Sequence, residues 1–368
     1  MKTNSVTYIF KTLLITAVLI FVIAGNATAS FEMYGKIETE LGYDDFITNP
    51  VNQGFTGKIL FAPNFNIVAD NVTGFVGLKG TYNNDIFGFT ANKAYVSYMG
   101  DSYCFKIGKD RTLKGVAYAW NPADIINPQR SPLYRDDEKR GSDEGIFLTS
   151  FSTFGKSRLF DYELSGLLIP GKDYSLKKVL SMKLGVGSFE SFLVGGFQSG
   201  ESIYGGYLRF PVFDFLTAYS EFQTVNFQSQ QKYLLGIQTN PTLPYIGNPL
   251  QIHVEYFKNI DGALSMNDYF INHPGEIPIL GETLQNYLYT GLVYNDVYVR
   301  ASLGGIWNID DDKSGLINFL ISFFPTKESM IRFGGYYCFF SDSQKEFPRL
   351  TDTQCEIYIN FSVFFGTQ

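Results

Sequence analysis

A chain of 368 residues with a formal net charge of −7 has no basic surplus, which excludes nucleic acid as its expected partner. Its 35 Phe and 25 Tyr exceed what a water-facing surface carries, whereas a barrel in lipid places such residues on an apolar outer face and in two interfacial girdles. Three cysteines and two histidines supply neither a disulfide framework nor a metal-ligand set, so no disulfide, metal or cofactor is expected.

Residues 1–29 read as a signal peptide. Lys2 and Lys11 give a positive start, Leu13 to Ala24 is a short apolar core, and Ala27, Thr28 and Ala29 offer small residues before a cleavage point at Ser30. The competing reading is an anchor helix, but that core is too short to cross roughly 30 Å of hydrocarbon. Residues 30–368 are expected to form a single domain, and no stretch of them is apolar for long enough to make a spanning helix.

From Ser30 onward the pattern alternates with a period of two, the mark of strands with one apolar face. Phe31, Met33, Ile37 and Leu41 fall on one side; Glu32, Lys36, Glu38 and Glu40 fall on the other. Strands are predicted at 31–42, 55–68, 72–82, 92–99, 102–109, 144–153, 158–168, 178–187, 189–198, 202–210, 212–225, 232–239, 249–258, 284–294, 297–308, 314–324, 328–340 and 354–365. The expected fold class is therefore all-β: a transmembrane antiparallel β-barrel of about 18 strands, with 16 the alternative, an even number as in single-chain bacterial barrels. No helix is predicted.

Alternation alone would also fit a soluble sandwich, so the connections matter. With a periplasmic N-terminus, the odd-numbered connections face outward and include 43–54, 83–91, 110–143, 169–177, 259–283 and 341–353. The even-numbered ones are tight, among them Asp70-Asn71, Gly100-Asp101, Gly155-Lys156, Ser188, Pro211 and Asn295-Asp296. Long outward loops and short periplasmic turns are a barrel property, and a sandwich has no reason to sort loop length by parity. The segment 240–248 breaks the rule and could mark a miscounted pair of strands.

The third outward loop, 110–143, carries one of the two tryptophans, two Asn-Pro breaks and charges of both signs. Asn121-Pro122 and Asn127-Pro128 disfavour helix and fix turns. Trp120 and Tyr118 are apolar bodies with polar tips, suited to anchoring a loop against a wall. A loop folded into the lumen would make Arg111, Lys114, Trp120, Asp124, Arg130, Arg135, Asp136, Asp137 and Arg140 candidates for a constriction, where opposed charges select by polarity and charge. Lys36, Glu38, Lys58, Lys79, Lys106, Arg300 and Arg332 are the matching candidates for the lumen wall. The bland alternative is a solvated outer loop whose ion pairs contribute only about 0–1 kcal/mol each.

The stretch GKDR…AYAWNPADIINP resembles a segment of porin-like outer-membrane proteins, and its place as third outward loop resembles that of the inward-folded loop of general bacterial porins. That resemblance covers about a tenth of the chain. The final segment, in which Ile357, Ile359, Phe361, Val363 and Phe365 alternate with Glu356, Tyr358, Asn360, Ser362 and Phe364, resembles the terminal strand by which such barrels are recognised for assembly. The porin resemblance implies outer-membrane lipid and the barrel-assembly machinery as partners, small hydrophilic solutes as cargo, and a homotrimer as the assembly to test. The expected function is passive diffusion through a loop-narrowed pore. A closed barrel with a surface binding role (an adhesin, or polysaccharide anchoring or export) is the second reading. Catalysis is disfavoured: His253 shares a face with Gln251 and Glu255, as a wall residue would, and His273 sits in a loop without a nearby serine.

Overall fold

The computed structural model describes residues 30–366 except 47–53, 84–85, 112–114, 128–144, 158, 172–174, 227–228, 242–249, 273–282, 311–312 and 340–352. The signal-peptide expectation at 1–29 lies outside the described residues, as does His273. The strands are β1 (Ser30–Phe46), β2 (Gly54–Ala69), β3 (Val72–Asn83), β4 (Ile86–Met99), β5 (Tyr103–Asp110), β6 (Ile146–Lys156), β7 (Asp161–Pro170), β8 (Leu176–Val186) and β9 (Phe189–Gln198). They continue as β10 (Glu201–Phe213), β11 (Leu216–Val225), β12 (Ser229–Thr239), β13 (Leu250–Asn259), β14 (Asn286–Asn295), β15 (Val299–Asn308), β16 (Gly315–Thr326), β17 (Ser329–Phe339) and β18 (Thr353–Gly366). Each pairs with the next, and β1 pairs with both β2 and β18, so the 18-stranded antiparallel sheet closes on itself.

Alternation decides which face is which. Ile37 stands opposite Phe61 on one side and Val363 on the other, and all three are exposed. Along β18, Ile357, Ile359, Phe361 and Val363 are exposed while Tyr358, Asn360 and Ser362 between them are buried. The chain is thus turned inside out relative to a soluble protein. A continuous exposed apolar band is an aggregation surface in water, and in hydrocarbon it is the favourable face. Tyr98, Tyr103, Phe160, Phe189, Phe213, Phe215 and Tyr298 are exposed beside the short turns and form an aromatic girdle at that end. The fold is a closed transmembrane β-barrel of 18 strands. A charge placed on the belt, as in Leu235→Arg on β12, is expected to destabilise the barrel by about 2–4 kcal/mol near mid-bilayer. Denaturant titration in lipid vesicles would measure it.

Four local expectations need correction. The outward connection expected at 83–91 is much shorter, because β4 begins at Ile86. A bulge lies there: Gly77 pairs with Lys93 and Leu78 with Ala91, leaving Asn92 extra on β4. The outward phase shifts from Phe87 and Phe89 to Tyr98, so a strict period of two loses the strand at this point. Second, the turn expected at Pro211 falls at residues 214–215, and Pro211 sits in β10 beside an irregularity in register. A proline has no ladder donor to lose at such a place. Third, a short helix, α1 (Met266–Asn272), interrupts the connection between β13 and β14. Ser265 caps it: its hydroxyl accepts from the Asp268 N–H at 3.2 Å and donates to the Asp268 carboxylate at 2.8 Å. Seven residues are too few to show a helical period. Finally, β12 and β13 pair directly across the segment 240–248, as Thr239 opposite Ile252 shows, so no strands were miscounted.

Candidate functional site

The connection between β5 and β6 enters the barrel, and residues 115–127 of it are described. Its composition explains why it can lie against a wall. Gly115, Ala117, Ala119 and Ala123 are small, so the backbone itself approaches the strands and presents its N–H groups. Gly115 has φ of 115°, and a Cβ there would lie 2.4 Å from the Asn121 side-chain oxygen, so only glycine starts this turn.

Two wall carboxylates receive those N–H groups. Glu221 of β11 accepts from Val116 at 2.6 Å, Ala117 at 2.8 Å and Ala123 at 3.1 Å. Glu255 of β13 accepts from Tyr118 at 2.5 Å, Ala119 at 2.8 Å and the Tyr219 hydroxyl at 2.6 Å. The two are 2% and 0% exposed, a burial that is very costly unless the group is fully hydrogen-bonded. Consecutive backbone amides supply that satisfaction, and the same bonds fix the loop.

Packing reinforces the pin. Trp120 is buried, stacked on Phe257 at 5.1 Å and set edge-on to Tyr289 at 6.4 Å. Tyr118 stacks on His253 at 4.5 Å. Cross-strand register brings Phe192, Tyr207, Glu221, Leu234, Phe257 and Tyr287 into one row across β9 to β14. Further along, Ala123 and Ile125 come within van der Waals reach of where a Cβ on Gly205 would be, so this glycine admits the loop to the wall. Asp124 closes the turn by accepting from the Ile126 and Asn127 N–H groups at 3.2 and 3.1 Å, and Lys177 donates to the Ile125 carbonyl.

Of the constriction candidates, Arg111 is half-buried at the start of the loop, and Trp120 and Asp124 lie in the packed seam between loop and wall. Lys114, Arg130, Arg135, Asp136, Asp137 and Arg140 lie outside the described residues. All seven wall candidates belong to inward faces. Lys36 bridges Glu38 at 2.9 Å, and Glu38 also accepts from Ser362 at 3.1 Å, on the wall that carries the buried Arg332. Lys58 stands opposite Glu40, and Lys79 precedes the outward Gly80. Lys106 bridges Asp110 at 2.6 Å, and Arg300 lies over the Phe324 ring near the short turns.

Sequence reasoning missed Glu221, and it placed Glu255 on a wall face beside His253 without seeing that it holds the loop. The available signal was a carboxylate in mid-strand on an inward face otherwise rich in aromatics, together with a loop made of small residues. Neither half is informative without the contact. In the closed ring of 18 strands, β12 lies half a turn from β3, so the loop is pinned opposite the wall that carries Lys36, Lys58 and Lys79.

Between the loop and the short-turn end lies a polar cavity of about 580 Å³. Its roof is Gly115 to Tyr118 with Asn121, and its walls come from β7 to β10 and from β12 and β13. Lys183 and Glu190, on the adjacent strands β8 and β9, are paired along its wall at 2.8 Å.

Fold and loop together define a transmembrane β-barrel whose lumen is entered from one wall by its third long-side connection. No protein-family model matches the sequence, and no curated protein matches it. Solved structures do. OccK5 (OpdH) of Pseudomonas aeruginosa aligns with a TM-score of 0.58 at 8% identity, covering 92% of this chain and 99% of that one. Wzi of Escherichia coli, an outer membrane protein, aligns at 0.57 and 10% identity over 95% of this chain and 87% of its own. OccD1 (OprD) aligns at 0.55 and 9% identity, covering 93% and 98%. At such identities the likeness is one of fold.

Proposed function

We propose that this protein is a porin-like channel of a bacterial outer membrane, passing small hydrophilic solutes by diffusion, with the β5–β6 loop setting its narrow section. The observation that carries this reading is the pinned loop. An 18-stranded barrel encloses an aqueous section unless something fills it. Here the described part of the loop lies along β9 to β14 and faces a lysine-bearing wall across the lumen. Reconstitution into planar bilayers tests it: discrete conductance steps are expected, and folded protein that inserts without conducting would refute the proposal.

A second reading is a surface carbohydrate-binding barrel. It draws on the likeness to Wzi, which is described as a carbohydrate-binding barrel involved in capsule assembly. Polysaccharide binding by a barrel that does not conduct would favour it.

A further inference from the structure

We propose that the cavity beneath the loop binds a neutral, polyhydroxylated molecule of mono- to disaccharide size; its access from solution rests on the channel reading above. Its volume of about 580 Å³ lies within the range of small-molecule sites. The argument for a neutral ligand is that the charges lining it already answer one another. Glu190 is paired with Lys183 at 2.8 Å, accepts from the Tyr207 hydroxyl at 2.6 Å and stands opposite Arg209 in register. Glu163 stands opposite Lys183 and accepts from Ser165 at 2.9 Å. Two acids and two bases alternate along the wall, so an ion entering alone would meet no unbalanced charge.

A hydroxyl group suits such a lining, because it donates to one neighbour and accepts from the next. The remaining polar wall is built from the Gln238 and Gln251 amides and the His253 imidazole, which likewise offer both donors and acceptors. Buried aromatic rings back and stiffen this lining. Phe192 and Tyr207 are stacked at 5.2 Å, and Tyr118 is held in place by His253 and by the backbone bond to Glu255. A small sugar carries a rim of hydroxyls, each both donor and acceptor, which matches a belt of amides and balanced charges.

The test is calorimetric titration of the full chain, refolded in detergent micelles, with maltose, and in parallel with sodium glutamate and arginine hydrochloride. Saturable maltose binding is expected, weakened about tenfold or more in a Gln238→Ala/Gln251→Ala double variant, as loss of one or two hydrogen bonds implies. Folding of the variant is checked by its unfolding temperature. The unaltered chain gives a second readout: maltose should slow amide hydrogen exchange within residues 115–121 and leave α1 unchanged. No saturable maltose binding, tighter binding of either charged probe, an unweakened double variant or no slowing at 115–121 would each overturn the inference. Conductance is not read in these measurements, so a barrel that binds maltose but forms no pore would refute only the channel, and a conducting barrel that ignores maltose would refute only this site.

Discussion

Replacing both pinning carboxylates, in a Glu221→Ala/Glu255→Ala double variant, should release the loop from the wall while leaving the barrel closed. The pair accepts backbone N–H bonds from Val116, Ala117, Tyr118, Ala119 and Ala123. Hydrogen bonds to a charged group contribute about 1.5–3 kcal/mol each, and amides left buried without an acceptor add a further penalty. Opening of the loop should therefore become easier by several kcal/mol, and exchange of the Val116, Ala117, Tyr118, Ala119 and Ala123 amides should accelerate by roughly a hundredfold or more. Strand amides of β1 to β3, half a ring away, should not change. Hydrogen exchange with mass spectrometry would separate these outcomes, and unchanged protection at 116–119 would mean that packing of Trp120 alone holds the loop. Each single variant should show a partial effect, with Glu221→Ala acting on Val116, Ala117 and Ala123, and Glu255→Ala on Tyr118 and Ala119.

Deleting residues 112–140 should have the largest effect on conduction. The deletion removes Trp120, the amides that bind Glu221 and Glu255, and every charge expected at the constriction except Arg111, while leaving β5 and β6 intact. Single-channel conductance should rise by roughly a factor of two or more, because a barrel of this strand number is otherwise an open aqueous channel. An unchanged step size would mean that the narrowest section lies elsewhere. The buried Glu221 and Glu255 would then face the lumen, so stability should be measured alongside conductance; pairing the deletion with Glu221→Gln and Glu255→Gln limits that cost.

Except for the start of β4, the strands lie within a few residues of where alternation places them, and the physical reason is the environment. With hydrocarbon outside and water within, each strand has two strongly different faces, and a period of two is imposed along the whole chain. The places where the reading slipped are those where the period itself breaks. Asn92 inserts one residue into β4 and reverses the phase. Pro211 reads as a turn but sits at an irregularity within β10. The helix at Met266–Asn272 is specified by its Ser265 cap more than by any periodicity.

The sequence by itself determined the barrel class, the lipid-facing side wherever the period of two runs unbroken and the identity of the long third outward connection, because these follow from local alternation and from turn chemistry. Only the tertiary structure decided that Glu221 and Glu255 hold that connection, that Trp120 is packed against Phe257, and that Glu163, Lys183, Glu190 and Arg209 share one cavity. These residues lie on different strands and on a loop a hundred or so residues away. What joins them is the register of the closed ring and the depth to which the loop descends, and neither is written in any local pattern.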